Sequence, residues 1–234
     1  MTEVVSLRVF RTASVRENGL PITVCLLELR DGSHVLVDTG CPASMIDDPA
    51  APFLVTEESH VLGRLRQEGL SAADIATVVV THFDPDHAGA NDAFPGAEFV
   101  VQREQYDHAC GSGLLRYEWL RAQWDGLRYR LVDGDTTLVP GVDLVASGGH
   151  VPGHQSVLVR LPETGPVLIA GDAWLAGSDP DTREISSFDH DERATRASQR
   201  ALMDLADRER VAMVVYSHDP AQWTALRPAP FAYR

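Results

Sequence analysis

Three cysteines, Cys25, Cys41 and Cys110, are all that a chain of 234 residues carries. An odd number, so widely spaced, excludes a disulfide framework, and Cys25 reads as part of an apolar core instead. Long apolar runs are missing as well: no stretch of about 18 apolar residues occurs, and no basic segment leads into an apolar one at the start. This argues against a membrane span or secretory leader and points to a cytoplasmic protein. Bases are scarce, 20 against 34 acids, for a formal net charge of −14. Such a balance repels nucleic acid and anionic membrane and favours neutral or cationic substrates. No linker-like stretch divides the chain, and 44% hydrophobic content is enough for a large core. Residues 1–234 therefore read as a single domain.

What is present centres on Thr81-His82-Phe83-Asp84-Pro85-Asp86-His87-Ala88-Gly89. Ile75 to Val80 is apolar and β-branched, so it reads as a short buried strand, and the side chains of His82, Asp84, Asp86 and His87 follow in the loop at its carboxyl end. In layered α/β folds that is where sites collect. Pro85 keeps the segment from continuing as ordinary helix or inner strand and forces a turn. Imidazoles and carboxylates packed this closely are costly without a cation among them, and together they suit Zn(II), Fe(II) or Mn(II).

The remaining chain alternates strands and helices. Val4–Phe10 and Ile22–Arg30 read as antiparallel strands across Glu17-Asn18-Gly19, and Val35–Val37 runs into Asp38-Thr39-Gly40. Asp38 is either a turn former or an acceptor that fixes the tautomer of a metal histidine. Ser59–Glu68 is predicted helical, ending at Gly69. Glu98–Gln102 is a strand and Arg103–Ala109 a helix, with His108 a surface residue near its end. Leu114–Trp124 is predicted as one helix with Leu115, Trp119 and Leu120 on one face; Tyr117 and Trp124 are expected to pack rather than line a pocket. Arg128–Val132, Thr137–Val139 and Val142–Ala146 form a second β-rich block. Asp191–Asp207 is an amphipathic helix with Ala194, Ala197, Ala201, Leu202 and Leu205 inward. His34, His60 and His190 lie in polar contexts and are taken as surface residues.

Three more loops carry ligand candidates. Gly148-Gly149-His150-Val151-Pro152-Gly153-His154 lies between strands, Pro166–Ala170 ends at Gly171-Asp172, and Val211–Tyr216 ends at Ser217-His218-Asp219. An apolar strand followed by a histidine or aspartate recurs each time.

These residues make the chain resemble the metallo-β-lactamase superfamily, whose pattern is His-x-His-x-Asp-His followed by a distant His, Asp and His. Within it the chain is most similar to the N-acyl homoserine lactonases, on Val37-Asp38-Thr39-Gly40, Asp86-His87-Ala88-Gly89, Val100-Val101-Gln102-Arg103, Gly134-Asp135, Val139-Pro140-Gly141-Val142, Gly149 to Ser156 and Ser217-His218-Asp219. The resemblance covers nearly the whole length. It implies an αββα sandwich with two β-sheets flanked by helices, and two divalent ions, zinc with manganese or iron as alternatives. His82, Asp84 and His150 would hold the first ion, Asp86, His87 and His218 the second, and Asp172 would bridge; His154 and Asp38 would support.

The implied activity is the opening of a small-molecule lactone or ester through a metal-bridging hydroxide, with Asp86 passing a proton to the leaving alkoxide. Two positions depart from the pattern: Asp84 stands in place of histidine, and Leu175 in place of a tyrosine that would hydrogen-bond the substrate. A carboxylate at 84 moves metal preference from zinc toward manganese or iron. It also keeps two other readings open, a non-haem di-iron oxidoreductase and a degenerate relative that binds a ligand with one ion. The sequence carries no signal for the oligomeric state.

Overall fold

The computed structural model describes residues 3–177 and 188–234. Strand β1 (Val4–Val15) pairs antiparallel with β2 (Pro21–Leu29), and β2 likewise with β3 (His34–Val37). Beyond β3 the sheet turns parallel through β5 (Ile75–Val79), β6 (Glu98–Gln102) and β7 (Arg128–Val132), while β4 (Phe53–Leu54) closes the other edge. The order in this seven-stranded sheet is β4-β1-β2-β3-β5-β6-β7. A second, five-stranded sheet runs β12-β11-β10-β9-β8. It comprises β8 (Thr136–Val139), β9 (Val142–Ala146), β10 (Gln155–Leu161), β11 (Gly165–Gly171) and β12 (Met213–Tyr216), of which only the β11–β12 pair is parallel.

Strand periodicity explains the layering. In β2 and β3 the alternate residues Cys25, Leu27, Val35 and Val37 face Leu144, Val157, Val159, Val167 and Ile169 of the second sheet in one buried cluster. The residues between them, Val24, Leu26 and Leu36, face outward, where they meet helices α1 (Val61–Gln67), α3 (Arg103–Gly111), α4 (Leu115–Glu118) and α5 (Arg121–Trp124) through Leu65, Ala109, Tyr117 and Trp124. Strands covered on both faces read as continuous apolar runs, which is why β2 is almost wholly buried. Helix α6 (Glu192–Glu209) covers the outer face of the second sheet, Leu202 and Leu205 against Leu158 and Leu168. The arrangement is the expected αββα sandwich. Among the described residues no helix is long and apolar enough to cross a membrane.

Several local expectations are corrected. Arg128–Val132 joins the first sheet beside β6 rather than the second β-rich block, because its register with Glu98–Gln102 is parallel and continuous. Leu114–Trp124 is two short helices bent at Trp119–Leu120. The bend buries Tyr117, Leu120 and Trp124 and leaves Leu115 and Trp119 exposed. Trp124 stacks on Phe83 with ring centroids 4.6 Å apart, so packing is its role. The inward face of α6 carries Thr195, Gln199, Leu202 and Leu205, while Ala197 and Ala201 are exposed. Its first turns press on the backbone of Gly148 and Gly149, where a polar side chain finds partners and an alanine would not: Ser198 Oγ donates to the Gly148 carbonyl. His60, expected at the surface, is buried and caps α1, Nδ1 accepting from Leu62 N at 3.4 Å. His34 and His108 are half-buried and His190 is exposed.

Candidate metal centre

Four strands of the sandwich deliver the site at their carboxyl ends. After β5 the chain passes through Thr81, His82 and Phe83, and Asp84 then precedes a single helical turn, α2 (Pro85–Ala88). Pro85 therefore starts a helix instead of preventing one, since the first helical position needs no N–H and favours proline's fixed φ. The turn swings Asp86 and His87 back beneath His82. Thr39 N donates to the His87 carbonyl at 2.7 Å and Gly89 N to the Gly40 carbonyl at 2.9 Å, so the loop after β3 is tied to the motif. A side chain at Gly89 would collide with Pro85 and Pro42, which leaves glycine as the residue that fits.

The other donors arrive from the second sheet. His150 lies between β9 and β10, Asp172 directly follows β11, and His218 follows β12. Gly171, at φ +56°, abuts His154: a Cβ there would sit 2.7 Å from its Nε2. That close approach lets Asp172 N donate to His154 Nε2 at 3.0 Å while His154 Nδ1 pairs with Ser147 Oγ at 2.8 Å. Both ring nitrogens of His154 are thus occupied, one of them by the backbone N–H of Asp172.

Among the described residues three overlapping groups of donors result: His82, Asp84 and His150; Asp86, His87 and His218; and His82, His87 and Asp172, with ligand atoms in each group within 4.8 Å of one another. Asp172 reaches both sides. Its Oδ1 lies 3.2 Å from His87 Nε2 and 3.3 Å from His218 Nε2, and its Oδ2 lies 3.4 Å from His150 Nε2 and 3.9 Å from His82 Nε2. Asp86 Oδ2 sits 3.6 Å from His218 Nε2 and 3.8 Å from His87 Nε2. A tetrahedral ion with bonds of about 2.0–2.2 Å holds its ligand atoms roughly 3.3–3.6 Å apart, so most of these separations lie close to the edges of two coordination shells, with those of His82 to Asp172 and His87 to Asp86 slightly longer. His82 Nε2, His87 Nε2 and Asp172 Oδ1 are buried without a hydrogen-bond partner, an arrangement that costs stability unless a cation takes the lone pairs.

Each inward Nε2 is fixed from behind through Nδ1. His87 Nδ1 meets Asp38 Oδ2 at 2.8 Å, His150 Nδ1 meets Asp189 Oδ1 at 2.8 Å, His218 Nδ1 meets the Pro21 carbonyl at 2.9 Å and His82 Nδ1 meets Thr81 Oγ1 at 3.0 Å. Asp38 also accepts from Thr81 N and Oγ1, both at 2.7 Å, so its carboxylate ties the histidine to the start of the motif. Asp189, Thr81 and Pro21 were not legible as site residues. Asp189 belongs to none of the sequence motifs, and a carbonyl acceptor leaves no trace in a sequence.

The electrostatics repeat the argument. Burial pulls His87 down, yet Asp172, Asp86 and Asp38 hold it well above the ordinary histidine range. Burial likewise opposes His150 and His218, but Asp172 outweighs it in both, lifting His150 to about 10. Asp172 is drawn well below the carboxylate range against its burial by His218, His87 and His150. His82 is pushed down by burial beside His87, and His154 to about 3 by burial beside His150. Carboxylates that recruit protons onto three of their histidine neighbours are carboxylates that want a cation, and a divalent ion would displace those protons.

The family model for the metallo-beta-lactamase superfamily matches residues 18–218. An N-acyl homoserine lactonase of Bacillus sp is 32% identical over 221 residues, spanning 90% of this chain and 86% of the relative. A crystal structure of a quorum-quenching N-acyl homoserine lactone hydrolase superposes with a TM-score of 0.88 at 27% identity, over the full length of both chains. In another N-acyl homoserine lactone hydrolase structure, similar at TM-score 0.87 and 26% identity over 99% of this chain and 100% of that one, the product N-hexanoyl-L-homoserine is bound at the catalytic metal center.

Proposed function

The chain belongs to the metallo-beta-lactamase superfamily, and from that premise we propose that it is a two-metal hydrolase that opens a lactone or ester, with N-acyl homoserine lactones as its substrate class. The observation that carries the reading is Asp172, one carboxylate whose two oxygens face two different donor groups. His82, Asp84 and His150 would hold the first ion and Asp86, His87 and His218 the second, with Asp172 shared. Bound there, divalent ions would supply Lewis acidity, polarising a carbonyl oxygen and lowering the pKa of water toward neutrality. Nitrogen and oxygen donors together suit zinc, and the carboxylate of Asp84 widens the choice to manganese or iron.

The chain's own residues orient and move protons. Asp38, Asp189, Thr81 and the Pro21 carbonyl hold four imidazoles with Nε2 inward, so little reorganisation is left to the moment of reaction. Asp86 keeps 14% of its side chain exposed, and burial raises its affinity for a proton. It is the group that would pass a proton to the departing alkoxide. At position 175 the Leu175 carbonyl accepts from His218 N at 3.1 Å, so the backbone steadies the second donor group while the side chain offers no hydroxyl to a substrate. An acidic chain suits an uncharged lactone. The single apolar layer shared by both sheets supports the reading of residues 1–234 as one domain.

Metal analysis of protein purified without added metal, paired with a hydrolysis panel of acyl homoserine lactones and simple esters, tests this. Two equivalents of zinc or manganese and ring opening are expected, and His87→Ala and His218→Ala should each lower metal content and abolish turnover. Unchanged metal content in both variants would sink the assignment. Two redox-active irons, or a single ion with no turnover, would favour the oxidoreductase or ligand-binding reading instead.

A further inference from the structure

Asp84 departs from the motif its family resemblance calls for, and its surroundings contain a compensating residue. The side chain is buried, and its two oxygens look in different directions. Oδ2 lies 3.3 Å from His150 Nε2 and 3.7 Å from His82 Nε2, while Oδ1 lies 3.2 Å from Arg116 Nε. Arg116 comes from α4, far away in sequence, and its side chain is only 20% exposed. The guanidinium is spread over three elements: Nη1 donates to the Phe188 carbonyl at 3.3 Å and Nη2 to the Tyr117 hydroxyl at 3.3 Å. Held by an ion pair at Nε and by hydrogen bonds at Nη1 and Nη2, the guanidinium is fixed in place rather than waiting for a substrate.

A histidine at position 84 would offer a neutral donor. An aspartate adds one negative charge beside those of Asp86 and Asp172, and the guanidinium adds one positive charge. The pair sums to zero, the charge of the imidazole it stands in for. Resting on the reading of Asp84 as a ligand of the first ion, we propose that Arg116 is the matched charge partner of Asp84, taking Oδ1, leaving Oδ2 to the first metal position and keeping the net ligand charge there at the value a histidine would give. Arg116 is a positioning residue and takes no part in the chemistry. The match makes each residue wrong without the other. D84H leaves a largely buried guanidinium unpaired beside a cation, which it repels; R116M leaves the carboxylate uncompensated, and it grips a divalent ion harder.

The test loads wild type, R116M, R116K, D84H and the double variant D84H/R116M with zinc, checks folding by near-ultraviolet circular dichroism, and follows zinc transfer to a chromogenic chelator. Opposite charges at such separations outside bulk water are worth at least a factor of about ten in an equilibrium, so D84H should give up one ion about tenfold faster than wild type and R116M about tenfold more slowly. R116K, which keeps the charge, should release like wild type, and the double variant should recover from the D84H defect. Release at the wild-type rate from both D84H and R116M, or a double variant no better than D84H, overturns the pairing. R116K behaving like R116M overturns the charge argument and leaves only the geometry of the fork. D84A retaining two ions would remove Asp84 as a ligand, and the pairing with it; D84A losing one ion while D84H and R116M stay like wild type would overturn the pairing alone.

Discussion

At the scale of residues, the centre depends as much on what stands behind the donors as on the donors. Asp38 adopts φ +64°, a left-handed conformation that aspartate and asparagine tolerate better than most residues, and from it one carboxylate serves His87 Nδ1, Thr81 N and Thr81 Oγ1. Asp38→Asn keeps that backbone and the shape but leaves the orientation of His87 unenforced. We expect metal affinity to fall by about 10- to 100-fold in chelator competition, with a far smaller change in melting temperature. An affinity equal to wild type would mean that Asp38 merely shapes the turn. All 20 basic residues of the chain are arginine. At Arg116 the planar fork lets one side chain reach Asp84, Phe188 and Tyr117 at once.

At the scale of elements, α1 shows how a polar residue can be misread from its neighbours. His60 follows Glu57, Glu58 and Ser59, yet it is buried as the cap of α1. Burial holds its pKa below the ordinary value, so the unfolded chain takes up that proton first as the pH falls. Its contribution to stability is complete above about pH 6.5 and is lost progressively as the pH drops from there toward the folded value. His60→Gln should narrow the stability difference between about pH 7.5 and pH 5 in urea unfolding, and His60→Ala should cost about 1 kcal/mol at the higher pH. A pH difference as wide in His60→Gln as in wild type would place that proton uptake elsewhere. The single turn of α2 owes nothing to a long periodic pattern. It exists because Pro85 is suited to a helix start and because the loop after β3 receives its carbonyl groups.

At the scale of the whole molecule, the two sheets are held together by an apolar layer, but their ends converge on a cluster of buried carboxylates and imidazoles that needs a cation. Metal and fold are therefore linked: an ion at 100 times its dissociation constant adds about 2.7 kcal/mol to stability. Removing the ions with a chelator should lower the calorimetric melting temperature by about 5 °C or more for a chain of this size. The shift should reverse on adding back zinc. The same melting temperature before and after verified metal removal would show that the centre does not contribute to folding.

The sequence by itself carried nearly every strand, because each is a local signal, a period of two residues or a run of β-branched side chains; the histidines and aspartates at the ends of such runs carried the family resemblance, and that resemblance implied the αββα sandwich. It also marked Asp84 as a departure. Only the tertiary structure placed Arg116 beside Asp84, since Arg116 lies in a segment whose own pattern predicted a single helix with Leu115 and Trp119 on one face. Likewise the supports of His150 and His218, Asp189 and the Pro21 carbonyl, are 39 and 197 residues away from the rings they orient. The physical reason is common to all three. A ligand announces itself by residue type at a strand end, whereas a charge partner or hydrogen-bond acceptor is chosen by proximity in the folded chain, and proximity between distant segments is set by packing.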